Sequence, residues 1–136
     1  MKTKYIIDTN TLIFFFKGKF DVRNKMLSHH AAELGVSEIT IAELTYGAYH
    51  SGNYAKHIKE AEMVRDSFTV FPIADCFKEY GQIRDYLRKQ GLSIENFDLL
   101  IAATAAHYGL TLVTDNLQHF NRIPNLKIEN WVDRSK

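Results

Sequence analysis

The chain has one cysteine, Cys76, and a net charge of only +1. A single thiol excludes an internal disulfide framework and any cysteine-based zinc site. It matches a reducing, cytosolic setting. The near-neutral balance lacks the strongly basic footprint of most nucleic-acid binders, leaving room only for a local basic rim. There is no long apolar run. The N-terminal run Tyr5–Ile7 is broken by Asp8 and Asn10, which argues against a signal peptide. No stretch approaches the roughly 20 apolar residues of a membrane span. There is no Pro/Gly/Ser-rich linker and no internal repeat. The 136 residues therefore read as one domain, residues 1–136. Histidines 29, 30, 50, 57, 107 and 119 lack ligand spacing, which leaves no zinc alternative.

What is present is an ordinary globular composition, 46% hydrophobic and 24% charged. Residues 4–8 read as a strand and 11–17 as a helix stopped by Gly18. A second helix is expected over 21–33 and a strand over 36–39. Thr40 can cap a helix running from Ile41 to about His50, with Glu43 at capping-box spacing. Helix 54–67, strand 69–73 with Pro72 placing it near a sheet edge, and helix 75–90 follow. Residues 99–108 are apolar almost all round and read as a central buried helix. Strand 110–114, a loop, and a last strand over 126–129 complete the chain. Strands alternating with helices predict a three-layer α/β/α domain with a short, mostly parallel sheet of four to five strands.

Acidic residues stand at the junctions of these elements. Asp8 ends the first strand, Glu43 lies in the first turn after the second, and Asp98 precedes the buried helix. Asp115 and Asn116 end the strand 110–114. In a parallel sheet, strand ends and following helix starts share one edge, where ligands bind. Each residue also fits a plain reading: Asp98 as an N-cap, Glu43 as half of a capping box, Asp115–Asn116 as a turn. Asp8 resists that reading, because an acid at the inner end of an apolar strand is costly to bury unpaired. Clustered acids raise each other's pKa. A hard divalent cation, Mg²⁺ or Mn²⁺, removes the conflict and suits hydrolysis of a phosphodiester. Phosphoaspartate hydrolases carry a second Asp where this chain has Asn10. Receiver domains need paired acids and a strand-end Lys that are missing.

These residues resemble the PIN-domain ribonucleases, specifically VapC-type toxins. The stretches YIIDTNTLI, SEITIAELTYGA, YGQIRDYLRKQG, NFDLLIAATAAHYGLTLVTDN and FNRIPNLKIENW carry the resemblance across essentially the whole chain. It implies a PIN-like fold and a Mg²⁺-dependent endoribonuclease, with Mn²⁺ as a substitute, acting on tRNA or another structured RNA. Asp8 and Asp98 become the main metal ligands, with Glu43 completing the metal or water side. The family register puts the fourth position at Asn116, with Asp115 one place early and facing the other way. The resemblance also implies a homodimer and a VapB-type antitoxin, whose C-terminal segment covers the site and which assembles with the toxin into a larger complex.

Other residues bear on partners. Arg84 shares a helical face with Tyr80 and Leu87, and is either a snorkelling side chain or a phosphate clamp. Lys17, Lys19, Arg23, Lys25, Arg88, Lys89, Arg122 and Lys127 are candidates for a basic rim or a solvated surface. Phe14, Phe15 and Phe16 run consecutively, so at least one is expected to meet a partner, and Tyr46 and Tyr49 extend that surface. The contrasting reading is a non-catalytic module that only binds RNA or a protein.

Overall fold

A computed structural model describes residues 2–136. Strands β1 (Tyr5–Ile7), β2 (Leu34–Ser37), β3 (Thr69–Phe71), β4 (Thr111–Val113) and β5 (Ile128–Glu129) form one sheet in the order β3-β2-β1-β4-β5. All four pairings are parallel. Chain order runs outward from β1 to one side and then resumes on the other. The switch point therefore lies between β1 and β4, where ligand crevices open in such sheets.

Helices α1 (Thr9–Lys17), α2 (Val22–Leu27), α3 (Glu38–His50), α4 (Tyr54–Ser67), α5 (Phe77–Lys89), α6 (Asn96–Tyr108) and α7 (Leu117–Phe120) cover the two faces. Successive strand residues point to opposite faces, and β1 shows the consequence. Ile6 joins Leu99, Ile101, Ala102 and Phe120 in one core, whereas Ile7 joins Leu12, Val22, Val36 and Val64 in the other. The three expected layers result. Gly18 and Gly109 close α1 and α6 at φ +66°, the left-handed conformation that favours glycine at a helix end.

Several expected boundaries move. The expected helix over 21–33 stops at Leu27, and a 3₁₀ turn, Ala31–Glu33, leads straight into β2. The Thr40 cap is also corrected. Ser37 caps α3, its hydroxyl accepting from Ile39 N at 3.1 Å, so Thr40 lies inside the helix and Glu43 in its second turn. A 3₁₀ turn, Ala74–Cys76, precedes α5, and α6 begins at Asn96, three residues early. α7 falls where a loop was expected. β3 is an edge strand ending before Pro72, as the proline requires. Among the described residues no helix is long and apolar enough to cross a membrane.

Candidate active site

Asp8 is the residue between β1 and α1, at the switch point. It caps α1: Oδ1 accepts from Thr9 N at 2.9 Å. Oδ2 accepts from Thr114 Oγ1 at 2.8 Å, just beyond β4. Asp8 is only 6% exposed. Burial pushes its carboxyl above the ordinary range, while the bonds from Thr114 and Thr9 pull the other way.

Glu43 reaches the same edge from α3. Its Oε1 accepts from Thr9 Oγ1 at 2.7 Å, and the Thr40 hydroxyl lies 3.1 Å from that of Thr9. Thr40 is fully buried in α3, so this contact anchors α1 against α3. Burial raises the Glu43 pKa, opposed by the Thr9 bond and reinforced by the charges of Asp8 and Glu95.

Asp98 sits in the first turn of α6, not before it, so the N-cap reading is corrected. Burial, followed by the charges of Asp8, Glu95 and Glu43, pushes its carboxyl up to about 7. Glu95 was missed in the sequence reading. It is the N-cap residue of α6, three residues before Asp98, with extended backbone at ψ 142°, and its charge reaches Asp98 across the first turn.

The strand end after β4 separates its two polar residues. Asp115 turns away and accepts from Asn130 and Arg134. Asn116 donates from its backbone N to Thr114 Oγ1 at 3.0 Å, and its Nδ2 lies 3.0 Å from His119 Nδ1. Asn116 thus reaches Asp8 through Thr114, not with its own amide.

Arg84 donates to the Tyr80 hydroxyl at 2.6 Å, which in turn donates to Asn96 Oδ1 at 3.1 Å. Phe14, Phe15 and Phe16 are all partly buried against the core that holds Ile7 and Val64, each keeping some exposed surface. Tyr46 and Tyr49, at 68% and 71% exposure, stand out on α3 instead. Arg23 donates to the Phe15 and Phe16 carbonyls, closing the end of α1. An apolar groove of about 280 Å³ runs between α1, α3 and α4, lined by Ile13, Phe16, Leu44, Gly47 and Ala48, with Glu43 also on its wall.

The donor set suits a hard cation. Asp8, Glu43 and Asp98 offer only oxygen, and each has its pKa raised. None of them forms an ion pair with a Lys or Arg among the described residues. Among the described residues no group of three or more His, Cys, Asp or Glu side chains is placed so that it could hold a metal ion as it stands.

An open parallel sheet with clustered, unpaired carboxylates at its switch point defines an acidic-centre α/β domain. A family profile described as PIN domain matches residues 5–126. Ribonuclease VapC2 of Rickettsia felis is 35% identical over 130 residues, covering 93% of this chain and 97% of that protein. The tRNA(fMet)-specific endonuclease VapC of Salmonella typhimurium is 33% identical over 129 residues, covering 94% and 98%. The crystal structure of DNA-bound VapBC from Salmonella typhimurium superposes with a TM-score of 0.88 at 33% identity, covering 95% of this chain and 98% of that one. The chain belongs to the PIN-domain family, in its VapC group.

Proposed function

We propose that the protein is the toxin of a toxin–antitoxin pair, a Mg²⁺-dependent endoribonuclease that hydrolyses phosphodiester bonds in tRNA or another structured RNA. The observation that carries this reading is the meeting of Asp8, Glu43 and Asp98 at the switch point, with raised pKa values and no cation of their own. The ribonuclease names of full-length relatives support it.

Asp8 and Asp98 would hold the metal, with Glu43 on the side that positions the attacking water. When bound, Mg²⁺ or Mn²⁺ supplies Lewis acidity at the phosphate and lowers the pKa of a bound water. Thr114 and the Thr9 amide hold Asp8 in one orientation and favour its charged form. Thr9 holds Glu43. Asn116 holds Thr114, so it acts on Asp8 at one remove. Water adds to phosphorus, the bond to O3′ breaks, and the leaving oxygen takes a proton. The products carry 5′-phosphate and 3′-hydroxyl ends.

A VapB-type antitoxin is the proposed partner, in keeping with the similarity to VapBC complexes. The apolar groove suits its C-terminal segment, because Glu43 lies on the groove wall and an occupant would close the acidic centre. Exposed Tyr46 and Tyr49 support a homodimer within a larger toxin–antitoxin assembly. The cytoplasm, where tRNA and antitoxin would be met, is the proposed compartment. Sequencing RNA ends after induced expression tests the function. New 5′-phosphate ends at defined positions are expected, absent with Asp8→Asn; identical ends in both would reject it.

A further inference from the structure

Four acids at one edge repel an RNA backbone. A metal neutralises only the phosphate it binds, so the phosphates on either side need cations from the protein. With a net charge of +1, those cations must be placed locally.

A second cleft, of about 470 Å³, adjoins the acidic centre. Arg84, Arg88, Ser93, Glu95 and Asn96 line it over a floor of Leu87 and Leu99. Glu95 joins the two regions: it lines this cleft, and its charge raises the pKa of both Asp98 and Glu43. Asn96 begins the helix whose third residue is Asp98.

The arginine at the far wall is pre-arranged. Arg84 Nη1 donates to the Tyr80 hydroxyl at 2.6 Å, and its guanidinium carbon lies 5.9 Å from the Tyr80 ring centre. Tyr80 is itself held by Asn96 at 3.1 Å. No carboxylate is among the contacts of Arg84 in the described residues. Arg88 shares Asp85 with Lys89, at 3.3 and 2.8 Å. Arg122 contacts the Ser93 carbonyl at 3.4 Å, behind the same loop. An oriented guanidinium with spare donors and no counter-ion is a phosphate receptor.

We infer that this cleft is a backbone subsite, in which Arg84, aided by Arg88, holds an RNA phosphate next to the one cut at Asp8 and Asp98. The inference rests on the ribonuclease reading and adds to it the path of the strand. The strand leaves the acidic centre past Glu95 and Asn96 towards α5. Tyr80 is a positioning residue that fixes Arg84.

The test is binding, measured in Asp8→Asn protein with Mg²⁺ and bulk tRNA, whose single-stranded loops carry the phosphates in question. The slope of log affinity against log salt is expected to fall by roughly 0.7 in Arg84→Ala and roughly 1.4 in Arg84→Ala/Arg88→Ala. Arg65→Ala, on α4 and paired with Asp66, is expected to leave the slope unchanged. Arg84 is exposed, so melting temperature should not change and folding is controlled. An unchanged slope in the double variant, while wild-type protein still cleaves RNA, overturns the subsite alone. Loss of antitoxin affinity in Arg84→Ala with the RNA slope intact overturns it too and assigns the cleft to a protein partner. If wild-type protein neither binds nor cleaves RNA, the ribonuclease reading and the subsite fall together.

Discussion

Thr9 Oγ1 donates to Glu43 Oε1 across 2.7 Å, joining the first residue of α1 to the second turn of α3. The residue that follows Asp8 thereby sets the position of the second acid. One short segment orients two carboxylates, Asp8 and Glu43, although Thr9 and Glu43 lie 34 residues apart in the chain. Thr9→Val keeps the shape and removes the donor. A hydrogen bond to a charged group contributes about 1.5–3 kcal/mol. Cleavage is expected to fall roughly tenfold or more, with a smaller loss of stability. Steady-state rates and thermal melts on the same preparation check this; unchanged rates would remove Thr9 from the site.

Asp98 makes metal-free stability depend on pH. Its folded pKa is about 7, against about 3.9 for an unperturbed Asp. Between those values the folded state keeps a proton that the unfolded state has lost. Stability therefore falls as pH rises from about 4 to about 7, and levels off above. Asp8 and Glu43 shift in the same direction and steepen the fall. Melting temperatures in EDTA should decline across that range, and Asp98→Asn should flatten the decline. Added Mg²⁺ should stabilise more at about pH 8 than at about pH 5, because only the charged carboxylates bind it.

Asp115 and Asn116 separate structure from chemistry. Asp115 holds Asn130 and Arg134, and Arg134 lies over the Phe20 ring at 4.8 Å. Asp115→Ala is expected to leave cleavage within about threefold and to speed amide exchange in residues 130–136, since only exposed contacts are lost. Asn116→Asp adds a carboxylate on the residue bonded to Thr114, the partner of Asp8, and should strengthen Mg²⁺ binding, measured by calorimetry.

Gly35 tests the sheet. A Cβ there would meet Phe71 Cε2 at 2.6 Å and the Thr69 carbonyl at 3.1 Å. Gly35→Ala should destabilise by about 1–3 kcal/mol. A melting temperature lower by several degrees is the expected readout; no change would mean that β2 and β3 separate freely.

The sequence made the layers legible because Ile6 and Ile7, on adjacent positions of β1, had to face two different cores. It made Asp8 legible because an acid at the end of that strand needed a reason to be buried. Local signals misplaced what tertiary contacts decide. Thr40 and Glu43 match a capping box, yet Ser37 takes the cap, and Thr40 is released to pack its hydroxyl against Thr9. The helix expected over 21–33 ends at Leu27, where Ser28 bonds back to the Lys25 carbonyl and the chain turns into β2. One helix face cannot cover the three consecutive phenylalanines: Phe20 and Arg134 flank Phe14 and Arg23 lies over Phe15, while Phe16 lines the groove between α1, α3 and α4. Glu95 carries no strand-end signal, and only the start of α6 at Asn96 brings its charge against Asp98 and Glu43.

RNA cleavage by purified protein, wild type beside Asp8→Asn and Asp98→Asn, with Mg²⁺ and with EDTA, decides whether the acidic centre is a metal-dependent nuclease site. Wild-type protein with Mg²⁺ should yield 5′-phosphate fragments, and EDTA should stop the reaction. Each variant should be inactive while melting at or above the wild-type temperature. Cleavage that persists in EDTA, or full activity in either variant, would contradict the account.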